Sequence, residues 1–254
     1  MTGSVRRRAI EALIRKDGEV MISALAEENG VSEMTIRRDL EALESAGSIR
    51  RVRGGAISTV SRSYEPPLSH RLVDNAEAKK AIGAAAARLL SPGETAILDV
   101  GTSTLEMAKR LDGHRGNTIV TPSLLVAMEL GGNPNLRVLV TGGVVRPGEM
   151  SLIGPSAEDA FKDVNCDVVF LGVAGVDPES GLTEYSLEDT RVKRAALKSS
   201  RRAVVLADES KLGRVAFSHV APISVVDTLV TDAAPTHPVV VALREMGTTI
   251  VHAK

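Results

Sequence analysis

The chain holds 254 residues, 43% hydrophobic and 25% charged, with a formal net charge of −1, which allows one small module and a second, sizeable core. Its only cysteine, Cys166, excludes an intramolecular disulfide and suggests no cysteine-based metal site, as expected of a cytoplasmic protein. No run approaches the roughly 18 apolar residues of a membrane span, Arg6-Arg7-Arg8 lack the apolar stretch of a signal peptide, and the absence of Trp with only two Tyr and three Phe argues against stacking on single strands.

Taken in chain order, Ile10, Leu13 and Ile14 predict a first helix. Ile22, Leu25 and Ala26 predict a shorter one, closed by Gly30 in the left-handed conformation. Ser32 then caps a third helix whose first residue is Glu33, with Val31 stapled onto Ile36. Ile36, Leu40 and Leu43 recur on one face, which turns Thr35, Arg37 and Arg38 to another. Gly47 is expected to end this helix, and Ser48 to Gly55 to fold as a small hairpin carrying Arg50, Arg51 and Arg53. Helix, tight turn, helix and wing read as a winged helix-turn-helix domain over residues 1–57.

Residues 1–62 carry 11 Lys or Arg against 9 Asp or Glu, a small excess, so placement of the arginines matters more than their number. Ser32, Glu33, Thr35, Arg37, Arg38, Arg51 and Arg53 are the candidate contacts to duplex DNA, with strongly salt-dependent binding expected. The competing reading has Arg37 and Arg38 paired with Asp39, Glu41 or Glu44 on a solvated helix face.

Residues 58–74, polar and bearing Pro66-Pro67, read as a linker. The remainder, 75–254, begins with a helix from Asn75 to Leu90 and then alternates strands with helices. Strands are predicted at Thr95–Val100, Thr118–Thr121, Arg137–Thr141, Val168–Val173, Ala203–Ala207, Leu229–Thr231 and Thr249–Val251. Helices are predicted at Leu105–Leu111, Leu124–Leu130, Leu187–Leu197 and Val239–Met246. This alternation implies a mainly parallel α/β sheet. The fold class is therefore α/β: an N-terminal winged helix-turn-helix domain and a larger, mainly parallel C-terminal domain.

In such sheets ligands collect where strands end. Asp99, Gly101, Thr102, Ser103 and Thr104 form a strand-to-helix turn that fits a phosphate cradle, and equally fits ordinary helix capping. Thr121-Pro122-Ser123 repeats the pattern, with capping the simpler account. Thr141, Gly142 and Gly143 admit a ligand or a tight turn. The segment with Gly175, Asp177 and Glu184, together with Asp208, Ser210 and Lys211, gathers the carboxylates, hydroxyls and cation that a sugar phosphate needs. Asp177 alone reads as a turn former, and Lys211 alone as a solvated cation.

The run Ser32, Thr35, Ile36, Arg37, Arg38, Asp39, Leu40 resembles the N-terminal signature of the DeoR-type bacterial transcription regulators, and the likeness continues through Gly54-Gly55-Ala56. In the same order as that family's sensor domain come Asp99-Val-Gly-Thr, Thr141-Gly-Gly, Gly154-Pro155, Gly172 to Asp177, Gly181-Leu-Thr and Ala207 to Lys211. One departure is Met21, where the family often caps its second helix with Ser or Thr. The resemblance implies a sensor domain similar in fold to ribose-phosphate isomerases and CoA transferases. It also implies binding to operator DNA as a homo-oligomer, dimer or tetramer, most often as a repressor of carbohydrate catabolism controlled by a phosphorylated sugar or polyol, with no cofactor, metal or membrane involved. The alternative is a sugar-phosphate isomerase-like enzyme using Asp177, Glu184 and Lys211. Nothing in the chain specifies turnover, and a winged module has no role in a simple isomerase, so no catalytic residue is assigned.

Overall fold

The computed structural model describes residues 3–17, 19–45, 48–52, 54–58 and 62–254. The chain divides into two compact units, 1–66 and 67–254. In the first, α1 (Gly3–Asp17) leads into β1 (Glu19–Met21), then α2 (Ile22–Asn29), α3 (Glu33–Ser45), β2 (Ile49–Val52) and β3 (Gly55–Ser58). Ile10, Ile14, Leu25, Ile36, Leu40 and Ile49 are fully buried together, so the three helices and the wing share one small core. Gly30 closes α2 at φ 62°, its N–H directed at the carbonyls of Ala26 and Glu27. That is the left-handed stop its position predicts. Gly47 and Arg53 lie outside the described residues.

The wing has three strands in the order β1-β3-β2, one more than the sequence reading contained. The added strand answers the departure at Met21. Met21 supplies no side-chain cap to α2; instead it pairs with Gly55 across the sheet, and the Gly54 carbonyl accepts from Ile22 N at 2.9 Å. A backbone acceptor on the wing does the work of a capping hydroxyl. It needs a glycine beside it, because a Cβ on Gly55 would stand 2.1 Å from the Val20 carbonyl oxygen. Gly55→Ala is therefore expected to destabilise the unit by about 1–3 kcal/mol, read as a lower thermal midpoint.

The second unit opens with α4 (Leu68–Val73), a helix where the sequence predicted linker as far as residue 74, and α5 (Ala76–Ala87). Then come β4 (Thr95–Leu98), α6 (Thr102–Ala108), β5 (Thr118–Thr121), α7 (Leu124–Leu130), β6 (Arg137–Val140), β7 (Val144–Val145), β8 (Leu152–Ile153), α8 (Pro155–Asp159) and β9 (Cys166–Gly172). The chain continues through β10 (Gly175–Asp177), β11 (Gly181–Glu184), α9 (Leu187–Lys198), β12 (Ser200–Leu206), β13 (Ser218–Ala221), β14 (Thr228–Thr231), α10 (Pro238–Glu245) and β15 (Thr249–His252).

Seven strands form one sheet in the order β15-β14-β12-β9-β4-β5-β6, every neighbouring pair parallel. Side chains alternate across it as the pleat requires. Ile97, Val169, Leu171, Val205 and Leu229 enter one apolar layer, and Ala96, Leu98, Val168, Phe170, Val204 and Val230 enter the other. Both faces are covered, which is why these strands read as continuous apolar runs. A small antiparallel sheet, β10-β11-β13, and the hairpin β7-β8 are appended to this frame.

Candidate functional site

In the first unit the third helix begins as its sequence dictates. Ser32 Oγ accepts from Thr35 N at 3.2 Å and lies 3.0 Å from Thr35 Oγ1, and Val31 packs against the core that buries Ile36. The polar face divides into arginines that are engaged and arginines that are not. Arg37 reaches Glu33 at 3.4 Å with both side chains about half exposed, an ion pair of a kind that contributes at most about 1 kcal/mol and is readily exchanged for a phosphate. Arg51 is tied to α3: it donates to Glu44 Oε2 at 2.7 Å and to Glu41 Oε1 at 2.8 Å, while its backbone N–H donates to Glu44 Oε1 at 2.9 Å. The Glu44 hydrogen bond pushes its guanidinium pKa up against the opposing effect of burial, with the Glu44 and Glu41 charges adding to the rise. Arg51 thus fastens the wing to the recognition helix.

The remaining acid of that helix, Asp39, is buried and held by α1, with Arg6 Nε at 2.5 Å and Arg7 Nη1 at 3.4 Å. Consequently Asp39, Glu41 and Glu44, the acids proposed as partners for Arg37 and Arg38, are claimed by Arg6, Arg7 and Arg51. Arg38 and Arg50 are exposed and make no ion pair among the described residues. Arg50, counted in the arginine cluster but omitted from the contact set, is as free a cation as Arg38.

In the second unit the carboxyl ends of the parallel strands carry a buried charge cluster. Asp99 follows β4, Glu184 ends β11, and Lys193 rises from α9; Asp99 and Lys193 are each 1% exposed. Lys193 Nζ lies 2.5 Å from Asp99 Oδ2, 2.9 Å from the Gly172 carbonyl and 3.3 Å from Glu184 Oε2. Asp99 Oδ2 also accepts from Gly172 N at 3.2 Å, and Glu184 Oε1 from Tyr185 N at 2.8 Å. Burial opposes the lysine charge, but Asp99 and Glu184 outweigh it and hold the Lys193 pKa above its ordinary value. From the other side of the pair, burial lifts the Asp99 carboxyl against the pull of Lys193. The contact geometry, three acceptors around one ammonium, fixes Lys193 as the cation. Sequence reading leaves Lys193 out of the candidate contacts, because nothing local reveals that a lysine on a helix will be buried.

Lys211, in the 3-10 turn Glu209–Lys211 after β12, is the second cation at this edge. It is half-buried, its backbone N–H donates to the Asp208 carbonyl at 2.9 Å, and its ammonium makes no hydrogen bond or ion pair among the described residues. Burial pushes its pKa down; Asp208 and Glu184 pull the other way, and Arg214 and Arg71 add to the depression. Arg214 itself stacks over the Tyr185 ring at 5.3 Å. Thr102 and Ser103 are nearly buried and their hydroxyls take no partner among the described residues, whereas Thr104 Oγ1 is spent on the Gly101 carbonyl at 2.8 Å.

Several of the predicted contacts are accounted for by packing. Gly101, at φ 141°, lies against Gly172, and a Cβ on Gly175 would stand 2.1 Å from the Arg214 carbonyl oxygen. Asp177 sits at the turn end of the β10-β11 hairpin, away from Glu184 at its other end, with Oδ1 accepting from the backbone of Glu179 and Ser180. Thr141 bonds the adjacent Gly142 carbonyl, and Gly142 and Gly143, at φ 73° and 112°, turn the chain into β7, where a Cβ on Gly143 would meet the Ile153 carbonyl oxygen at 2.6 Å. The arrangement thus brings together Asp99, Glu184 and Lys211, with Thr102 and Ser103 on the same edge, and leaves Asp177 and the Thr141-Gly142-Gly143 turn to local roles. Among the described residues no cluster of side chains is suited to a metal, and no helix is long and apolar enough to cross a membrane.

Comparison with known proteins agrees with this division. The model of the DeoR-like helix-turn-helix domain matches residues 6–62, and that of the DeoR C terminal sensor domain matches residues 74–233. The HTH-type transcriptional regulator GolR of Listeria innocua is 33% identical over 89% of this chain and 89% of its own length. The Glycerol-3-phosphate regulon repressor of Escherichia coli is 34% identical over 92% of this chain and 93% of its own. Among solved structures, ribose 5-phosphate isomerase A from Methanocaldococcus jannaschii covers 55% of each chain at 16% identity, with a TM-score of 0.41.

Proposed function

The chain belongs to the DeoR family of DNA-binding transcriptional regulators, and we propose that it is a cytoplasmic repressor of a carbohydrate-catabolism operon, released from operator DNA by a phosphorylated sugar or polyol. It acts by binding rather than by turnover, and as a homo-oligomer whose two DNA-binding units address half-sites about 10 base pairs, or a multiple, apart. Thr35, Arg37, Arg38 and Arg50 face the duplex, and Arg51 holds the wing in place.

The observation that carries the effector reading is Lys211: an ammonium with no ion pair among the described residues, half-buried where the parallel strands end. A buried cation lacking a partner is costly unless a ligand supplies the opposite charge. The phosphate is assigned to Lys211 and the sugar hydroxyls to Thr102, Ser103 and the edge held by Asp99 and Glu184, with Lys193 fixing the position of both acids.

Calorimetry against a panel of sugar phosphates and the matching free sugars tests this. The phosphorylated members are expected to bind and the free sugars not, and Lys211→Ala to weaken binding at least about tenfold while leaving ligand-free operator affinity intact. Because burial depresses the Lys211 pKa from its ordinary 10.5, wild-type affinity should begin to fall in alkaline buffer before an exposed lysine would lose its proton. Lys211→Arg, whose guanidinium stays charged, should lack that fall. Equal binding of free and phosphorylated sugars would end the assignment.

A further inference from the structure

The first element after the chain leaves the DNA-binding unit is α4, which is anchored by polar clamps. None of its residues is buried, and Leu72 and Val73 are 40% and 72% exposed. Three clamps hold it instead. Lys79, buried on α5, gives its ammonium to the carbonyls of Arg71 and Asp74. The Arg71 guanidinium pairs with Glu149 in the turn between β7 and β8. Asn75, in the left-handed region at φ 52°, donates from Nδ2 to Asp208 Oδ1 at 3.1 Å and lies 3.4 Å from Ser210 Oγ.

The third clamp reaches the turn that carries Lys211. Asp208 shapes that turn, its Oδ1 accepting from Ser210 N at 3.0 Å and from Ser210 Oγ at 2.5 Å. One carboxylate oxygen therefore serves both the Lys211 turn and Asn75. A ligand that draws Lys211 and the Ser210 hydroxyl toward itself must redistribute the hydrogen bonds on Asp208, and both contacts Asn75 makes through its amide among the described residues, to Asp208 Oδ1 and Ser210 Oγ, depend on them.

Resting on the sensor reading above, we propose that Asn75 is the positioning residue through which occupancy at Lys211 reaches the DNA-binding unit. With the site filled, the Asp208 turn re-forms around the anion, Asn75 loses its acceptors, and α4 shifts at the point where the chain departs for the recognition module. No residue of α4 is buried, so a small differential affinity at the pocket suffices to move it. The left-handed backbone at 75 is tolerated by Asn and more freely by Gly, which makes the side chain separable from the turn.

Asn75→Gly keeps that backbone and deletes the amide; Asp208→Ala deletes its acceptor. In the full chain, the test measures affinity for the promoter duplex that wild type binds, with and without a hexose 6-phosphate, and hydrogen exchange across residues 67–75. Asn75→Gly is expected to bind duplex and hexose phosphate each within about threefold of wild type, while the ligand-induced change in duplex affinity shrinks about tenfold or more. In both variants the α4 amides should exchange about tenfold faster without ligand. A wild-type response in Asn75→Gly overturns the proposal, as does unchanged α4 exchange in both variants. Should wild type bind no hexose phosphate, the effector reading fails separately, and the exchange measurement still decides whether Asn75 secures α4 through Asp208.

Discussion

Lys193→Met is expected to destabilise the sensor unit by about 3–5 kcal/mol, because it removes the buried cation around which Asp99 and Glu184 are packed. For a unit of this size that corresponds to a fall of roughly 10 °C in thermal midpoint, read by calorimetry or far-ultraviolet dichroism. The loss should come from the stranded acids and not from the missing lysine contacts, since Asp99 and Lys193 are each 1% exposed and already surrounded by apolar strands. Replacing Asp99 with Leu in the same chain should therefore restore part of the stability. The direction of the Lys193 shift gives a second check. A lysine pKa raised in the folded state contributes its full stability below the unfolded value, near 10.4, and loses it only as pH rises through the raised one. The wild-type unit should show no loss from this group between neutral pH and about 10.4, and a progressive loss above it. A midpoint within about 2 °C of wild type for Lys193→Met would deny the cluster its electrostatic role.

The second large effect concerns the arginines that make no ion pair among the described residues. Arg38→Ala combined with Arg50→Ala should weaken binding to the operator about a hundredfold near 0.1 M salt and flatten the plot of log affinity against log salt by roughly 1.8 for two lost phosphate contacts. Arg51→Ala should behave differently. Its guanidinium is already neutralised by Glu41 and Glu44, so the change should loosen the wing and lower affinity with little change in slope. Equal slopes for wild type and the Arg38, Arg50 double variant would remove both residues from the phosphate backbone.

Much of this was legible before any coordinates. The cap at Ser32, the stop at Gly30 and the face of Ile36, Leu40 and Leu43 are local or one-helix properties, and short-range sequence determines them. The central sheet strands are equally plain, because a strand buried on both faces must be a run of apolar residues, and the edge strands Arg137–Val140 and Thr249–His252 are marked by their β-branched residues. What stayed hidden depends on partners distant in sequence. The short strand Glu19–Met21 has no apolar alternation and exists because Gly55 lets the wing approach. The hairpin Gly175–Glu184 was taken as loop because its glycines and Asp177 are turn residues, although they turn a sheet. Arg51 looked like a free cation until the fold set two helix acids beside it, seven and ten residues away. The buried Lys193 was the least visible, since only tertiary closure brings residues 99, 172 and 184 around it.

The wing's backbone acceptor for Ile22 also limits how the protein can be dissected. A fragment cut after the recognition helix would forfeit the start of its own second helix, so the smallest autonomous DNA-reading piece extends at least through Ser58. Tyr64, partly buried and sensing the charges of Arg50 and Glu44, moves the sensible splice point further, to Pro66-Pro67. Chimaeras that graft this reader onto another sensor should be joined there.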